Sequence, residues 1–413
     1  MPTEDAPVAA EITELPAEPR GVFGGRNFRL LFFGQLISNS GTWLQNAAQG
    51  VLVLKLSGSP LMVGVTTAAM FFPVIPLALL GGKLADRFDR KRLLVGTQVV
   101  ALSATGILAI LAATGRATVA AVLVVALVVG AQYAVSIPAT FALLPSLVER
   151  DQLGQAIGAN SITYNVARVA GPLISTAAIT AIGFGFAFGL NSLSFLALIV
   201  ALLYIRPREV EGTGESVGSI GEGVAYAWRT KRVRLMLLGV VVGAAALDPA
   251  FTLAPVFAER VFGHPAADGG ILMAAFGTGA ILSGVVSSRA FRGTPRFRLL
   301  MPTMLVFAAG LTAFLLSPGF WPAVPALFVA GIGSLLAMII WTTGIQHEVP
   351  EAFRGRVMGL WTLAFLGTRT FAGLLSGALA DSLGPRSAVL VLMVPLVLVA
   401  LLVAPRLARF PAT

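Results

Sequence analysis

The chain is 413 residues long, 56% hydrophobic and 12% charged, with a formal net charge of +10. Charged residues stand at about half their usual share, too few to coat a water-soluble fold of this size, so lipid is the solvent its surface must tolerate. The absence of cysteine excludes disulfides and thiolate metal sites.

Residues 1–20 hold Glu4, Asp5, Glu11, Glu14 and Glu18 among four prolines, with no apolar run. That predicts a disordered tail and no signal peptide. Apolar stretches follow at 28–54, 61–81, 93–113, 118–142, 157–182, 186–205, 234–257, 268–290, 298–317, 323–345, 357–380 and 387–405. Each has the length that crosses about 30 Å of hydrocarbon, so an all-α integral membrane protein with twelve transmembrane helices is expected. The connector 206–233, polar and holding five glycines, divides it into six-helix halves at 21–205 and 234–410.

In the first span Gln35, Asn39, Thr42, Asn46 and Gln49 recur at steps of four and three, which puts them on one helical face. Amides facing lipid tails would lack partners at a cost. This face therefore meets either a wet central cavity or an interhelical hydrogen-bond seam.

Between the second and third spans the chain reads Gly82-Lys83-Leu84-Ala85-Asp86-Arg87-Phe88-Asp89-Arg90-Lys91-Arg92. These residues resemble the major facilitator superfamily, whose signature in this loop is G-x-L-A-D-R-x-G-R-K; Asp89 stands where the pattern has its second glycine. That departure resembles the branch containing the enterobactin exporter and related bacterial drug or macrolide exporters. The resemblance implies a major facilitator fold and a cytoplasmic gate that includes Gly82, Asp86, Arg87 and Arg90, with Asp86 as a latch. Read by itself, the stretch also fits a solvated basic loop.

Gln132 and Tyr133 in the fourth span, and Asn160 and Asn165 in the fifth, are candidates to join the cavity lining. The fifth span continues Arg168-Val169-Ala170-Gly171-Pro172-Leu173-Ile174-Ser175-Thr176. It resembles the antiporter motif of the same superfamily, with Ser175 and Thr176 in place of trailing glycines. Pro172 frees a carbonyl and Gly171 admits a neighbouring helix, which predicts a helix bend serving either packing alone or antiport.

Asp248, before Pro249, is the acidic residue that falls inside a span, and Arg168 and Arg369 are the basic ones. Each costs at least about 2.5 kcal/mol at the bilayer centre. Asp248 is thus either a proton carrier or the partner of an intramembrane arginine. Before the eleventh span, Pro350-Glu351-Ala352-Phe353-Arg354-Gly355-Arg356 resembles the same loop in exporters of that branch. Arg354 and Arg356 then belong either to the gate or to a capped helix start. Trp228 and Trp321 suit interfacial anchors; Trp43, Trp341 and Trp361 are weaker candidates for stacking on a substrate.

With both termini placed in the cytoplasm, 23 of the 29 lysines and arginines fall on that side, 4 on the other and 2 within spans. This bias predicts the orientation and turns the basic charge towards anionic lipid, leaving no role for nucleic acid. At an offset of 201 residues Arg168 meets Arg369 and Gly158 meets Gly359, an echo expected of parallel repeats around a midplane site.

The expected activity is alternating-access export of a small amphipathic molecule across a bacterial inner membrane, in antiport with protons. The resemblance implies a drug, macrolide or siderophore-like metabolite as substrate. A monomer is expected, with no cofactor and no metal, since His264 and His347 fall in separate loops. No phosphate-binding Gly-x-x-x-x-Gly-Lys-Ser/Thr loop is present. An importer or uniporter of a polar nutrient is the runner-up. A membrane-embedded enzyme or a receptor are rivals of another class, and the residues supply neither a nucleophile with a base nor an added soluble domain.

Overall fold

The computed structural model describes residues 21–77, 89–208, 220–290 and 297–408, and all regular structure among them is helical. The first half consists of α1 (Arg26–Ser57), α2 (Pro60–Phe71), α3 (Arg90–Ala113), α4 (Val119–Leu143), α5 (Leu153–Ala181) and α6 (Phe184–Tyr204). A short α7 (Ile220–Arg229) leads into α8 (Lys231–Thr252), α9 (Gly269–Ala290), α10 (Leu300–Leu316) and α11 (Phe320–Glu348). The chain closes with α12 (Glu351–Thr362), α13 (Thr368–Leu383) and α14 (Pro385–Leu402). A π-helical turn, Leu363–Gly367, joins α12 and α13 into one span, and a second, Phe257–Val261, follows α8. Ten of the resulting spans are long and apolar enough to cross a bilayer by length and composition alone. The other two, α1 and α5, have 32 and 29 residues and carry the polar faces described above.

Helix starts follow local chemistry. Ser59 and Thr118 accept hydrogen bonds from the amides of Met62 and Ala121 at the heads of α2 and α4. Asp89, the residue that departs from the superfamily pattern, does the same for α3: its Oδ1 accepts from the Arg92 amide at 2.7 Å. A glycine could not supply that cap. On the outer surface Ile110, Leu193, Leu316 and Leu401 stand exposed, as suits hydrocarbon on the outside.

The helices alternate in direction, so the bundle has two ends. We call the end where α1 begins the base and the opposite end the roof. At the base the pairs formed among the described residues stay within one half. Arg90 Nη1 donates to the Ala142 carbonyl at 3.0 Å, and Lys91 Nζ donates to the carbonyls of Leu203 and Ile205. On the other side α7 is strapped to the second half. Tyr226 stacks on Phe353 with centroids 4.9 Å apart and Arg356 pairs with Glu222 at 2.6 Å; beside them Arg232 of α8 pairs with Glu348 of α11 at 2.8 Å.

The roof joins the halves. Ser59 Oγ donates to Asp381 Oδ1 at 3.0 Å, Thr176 Oγ1 to the Ala267 carbonyl at 2.6 Å, and Thr252 Oγ1 to Thr67 Oγ1 at 3.2 Å. Arg260 donates to the Gly58 carbonyl. Beneath these bonds α2 and α13 touch backbone to backbone, because Gly64 lies against Gly373 and Gly377 with no room for a methyl group. Gly64→Val would overpack this contact, an error that costs about 1–3 kcal/mol. Turnover of the variant in proteoliposomes is therefore expected to fall about tenfold or more while the protein still inserts and purifies. Normal turnover would mean that α2 and α13 need not meet.

Candidate functional site

Below the roof contacts a cavity of about 260 Å³ separates the halves and is open to the outside of the protein. Its polar wall comes from the first half. Gln35, Ser38, Asn39 and Thr42 of α1 face Gln98 of α3, Gln132, Ser136 and Thr140 of α4, and Asn160 of α5. Its apolar lining comes from both halves: Ile137, Phe141 and Phe195 from the first, and Trp361, Phe365 and Leu366 from the second, where the Trp361 and Phe365 rings stack with centroids 5.5 Å apart. Phe365 and Leu366 sit on the π-helical turn, a widened turn frequent at functional sites.

The α1 face is at once cavity lining and seam. Gln35 Nε2 donates to Thr140 Oγ1 at 3.1 Å, and Asn39 Nδ2 donates to Thr163 Oγ1 at 3.0 Å. The stripe thus borders the cavity and also bonds to α4 and α5. Tyr133 also lines the cavity. Asn46 and Gln49, nearer the roof, line a separate smaller cavity. Asn165 lines none of these spaces: its Nδ2 bonds to the Ser161 carbonyl one turn back on its own helix.

At mid-depth the three intramembrane charges gather around one ring. Asp248 is completely buried; its Oδ1 accepts a long hydrogen bond from Arg369 Nε at 3.5 Å and its Oδ2 one from Ser376 Oγ at 3.3 Å. The Arg369 guanidinium also lies 4.2 Å from the Phe71 centroid and 5.9 Å from that of Phe251. Arg168 approaches Phe251 from the other half, its Cζ 5.2 Å from the Phe251 and Phe276 centroids. Its Nε is buried without a partner, and no carboxylate lies within 4 Å of it among the described residues. Of the two arginines related by the 201-residue offset, only Arg369 takes the acid.

Around Pro172, α5 stays helical from Leu153 to Ala181. Gly171 packs against Ser40, Trp43 and Leu44 of α1, where no side chain would fit, and the Pro172 carbonyl abuts Gly270 of α9. The motif thus brings the first half's α5 against both α1 and the second half.

Gly82, Asp86 and Arg87 lie outside the described residues. Arg90 is bound within the first half and Arg356 to α7; Arg354 is exposed at the base. In this conformation none of the three pairs across the halves among the described residues. Trp341 is buried against Gly239 and serves packing. Trp43 stands between the two cavities, edge-on to Tyr164 and tilted against Phe251.

Among the described residues, twelve spans in two halves around a lined cavity have the architecture of a major facilitator transporter. The chain belongs to the transmembrane secretion effector family, whose sequence profile matches residues 21–412. It is 26% identical over 404 residues to YfiS of Bacillus subtilis (strain 168), an uncharacterized transporter of the same type, covering 90% of this chain and 91% of that one. It is also 26% identical over 376 residues to the enterobactin exporter EntS of Escherichia coli O1:K1, covering 87% and 86%. Among solved structures, the bacterial homologue of the human lysosomal transporter Spinster, inward-facing and unoccupied, superposes with a TM-score of 0.75 at 16% identity. That match covers 94% of this chain and 98% of the other. The nucleoside transporter NupG reaches 0.75 at 12% identity, covering 92% and 98%. These two likenesses are of fold.

Proposed function

We propose that this protein exports a small amphipathic molecule in exchange for protons, working by alternating access across a bacterial inner membrane with both termini in the cytoplasm. The observation that carries the reading is the cavity, which sets amides and hydroxyls on one wall against stacked rings on the other. A solute with one polar and one apolar face gains on both walls, whereas a purely polar nutrient would leave the rings wetted. The excess of lysine and arginine on the base side supports a base facing the cytoplasm, from which the cavity would load.

Kinship with enterobactin exporters supports a drug, macrolide or siderophore-like cargo. Loading at the base, closure of the base and opening of the roof would release it outside. Gly82, Asp86, Arg87 and Arg90, with Arg354 and Arg356, would form the base gate in the opposite state. Asp248 would carry the coupling proton, because a proton arriving there removes the charge that holds Arg369. Each proton that falls through 100 mV supplies about 2.3 kcal/mol.

The test is flux in sealed proteoliposomes with an imposed pH gradient and a panel of amphipathic compounds. At least one should move against its own gradient and stop when a protonophore is added. Flux confined to polar nutrients running down their gradients would overturn the proposal.

A further inference from the structure

Between the main cavity and the roof lies a second cavity of about 40 Å³, bordered by Arg369, Gln49, Asn46, Thr66, Thr67 and Thr252. It has room for one small group, not for an amphipathic solute. Two of its donor groups, on Gln49 and Arg369, lack acceptors among the described residues. Gln49 is 1% exposed, and its Nε2 is buried without a hydrogen-bond partner. The Arg369 guanidinium spends its Nε on Asp248, and its terminal amino groups have no acceptor among the described residues. Behind the Phe251 ring, which also lines this space, Arg168 is 7% exposed and lacks a carboxylate. Two guanidiniums and one carboxylate leave this cluster with an excess of one positive charge. A buried charge left uncompensated is costly, and an orphan buried N–H adds about 1–3 kcal/mol.

We infer that this cavity is a binding subsite for a compact monovalent anion, received by the Gln49 amide and the free edge of the Arg369 guanidinium. A bare halide and the carboxylate head of a larger solute share that chemistry. A still smaller space lies between it and the main cavity, sharing Asn39 and Tyr133 with the main cavity and Trp43, Asn46, Met70 and Phe71 with this one. An anion would reach the subsite by that route when these side chains part. The inference goes beyond the transport reading and does not depend on its direction.

The test uses purified full-length protein and its tryptophan emission, since Trp43 borders the cavity. Sodium chloride and sodium acetate are titrated separately at fixed pH, against sodium sulfate at matched ionic strength as the reference. A saturable change with chloride alone identifies a free halide. A change with acetate, alone or together with chloride, identifies a site that also accepts a carboxylate head. In either case Gln49→Leu, which leaves the Asp248–Arg369 pair intact, should weaken apparent affinity about tenfold or more. Arg369→Lys should weaken it as well. No saturable response to either salt, or an affinity unchanged in Gln49→Leu, would overturn the inference.

Discussion

Asp248→Asn is expected to abolish efflux driven by a pH gradient while exchange of substrate across equilibrated vesicles continues. The reason lies in the position of the carboxylate. It is fully buried, faces Arg369 and Ser376, and is the acidic group in contact with the charged cluster. The substitution also leaves Arg369 without its counter-charge, which costs about 3–5 kcal/mol when the partner is buried, so lower stability is expected too. The double variant Asp248→Asn with Arg369→Gln separates the two effects. It should recover stability, read as a thermal midpoint in detergent, and still fail to couple to protons. If proton-driven efflux returned with stability, Asp248 would be a structural partner only.

Joining Ser59→Cys to Asp381→Cys should stop transport. The two side chains meet at the roof with Oγ and Oδ1 3.0 Å apart, one from each half. The chain has no native cysteine, so an introduced pair is the only site that an oxidant or a short thiol crosslinker can join. Turnover is expected to drop to background on crosslinking and to return on reduction when the link is a disulfide. Full transport by crosslinked protein would mean that the roof never opens, and alternating access would fail with it.

The span pattern was legible because bilayer thickness sets helix length and apolar runs report it directly. The sixth span, expected at 186–205, is α6, Phe184–Tyr204. Where helices run past the apolar window the reading fell short. α11 continues to Glu348 because its polar end still bonds as helix at the base, and α12 starts at Glu351, well before the expected 357. The helix α7 lay hidden in a connector read as polar, because its ordering comes from tertiary partners, Phe353, Arg356 and Glu348. The π-helical turn at Leu363–Gly367 is a matter of hydrogen-bond register, which no residue in it marks.

For the site, periodicity identified the α1 face but not the depth at which the halves close. Gln35, Asn39 and Thr42 fall in the main cavity, while Asn46 and Gln49, on the same stripe, fall beyond it. Asn165 stands apart from this lining, because a lone amide can satisfy itself on its own helix, as this one does. Gln98, Ser136 and Thr140 are isolated polar residues in apolar runs, and nothing in the sequence sets Phe365 apart from a lipid-facing ring. The internal repeat made Arg168 and Arg369 equivalent candidates for Asp248, and only packing chose between them.

The roof also bears on energetics. Its cross-half bonds join hydroxyls, carbonyls, a carboxylate and a guanidinium, all groups that water can satisfy once the helices separate. The two neutral bonds are worth about 0.5–1.5 kcal/mol net each, and the two that involve Asp381 or Arg260 about 1.5–3 kcal/mol each. Together these bonds contribute several kcal/mol, on the scale of the roughly 5.5 kcal/mol that carries a two-state balance from 1:99 to 99:1.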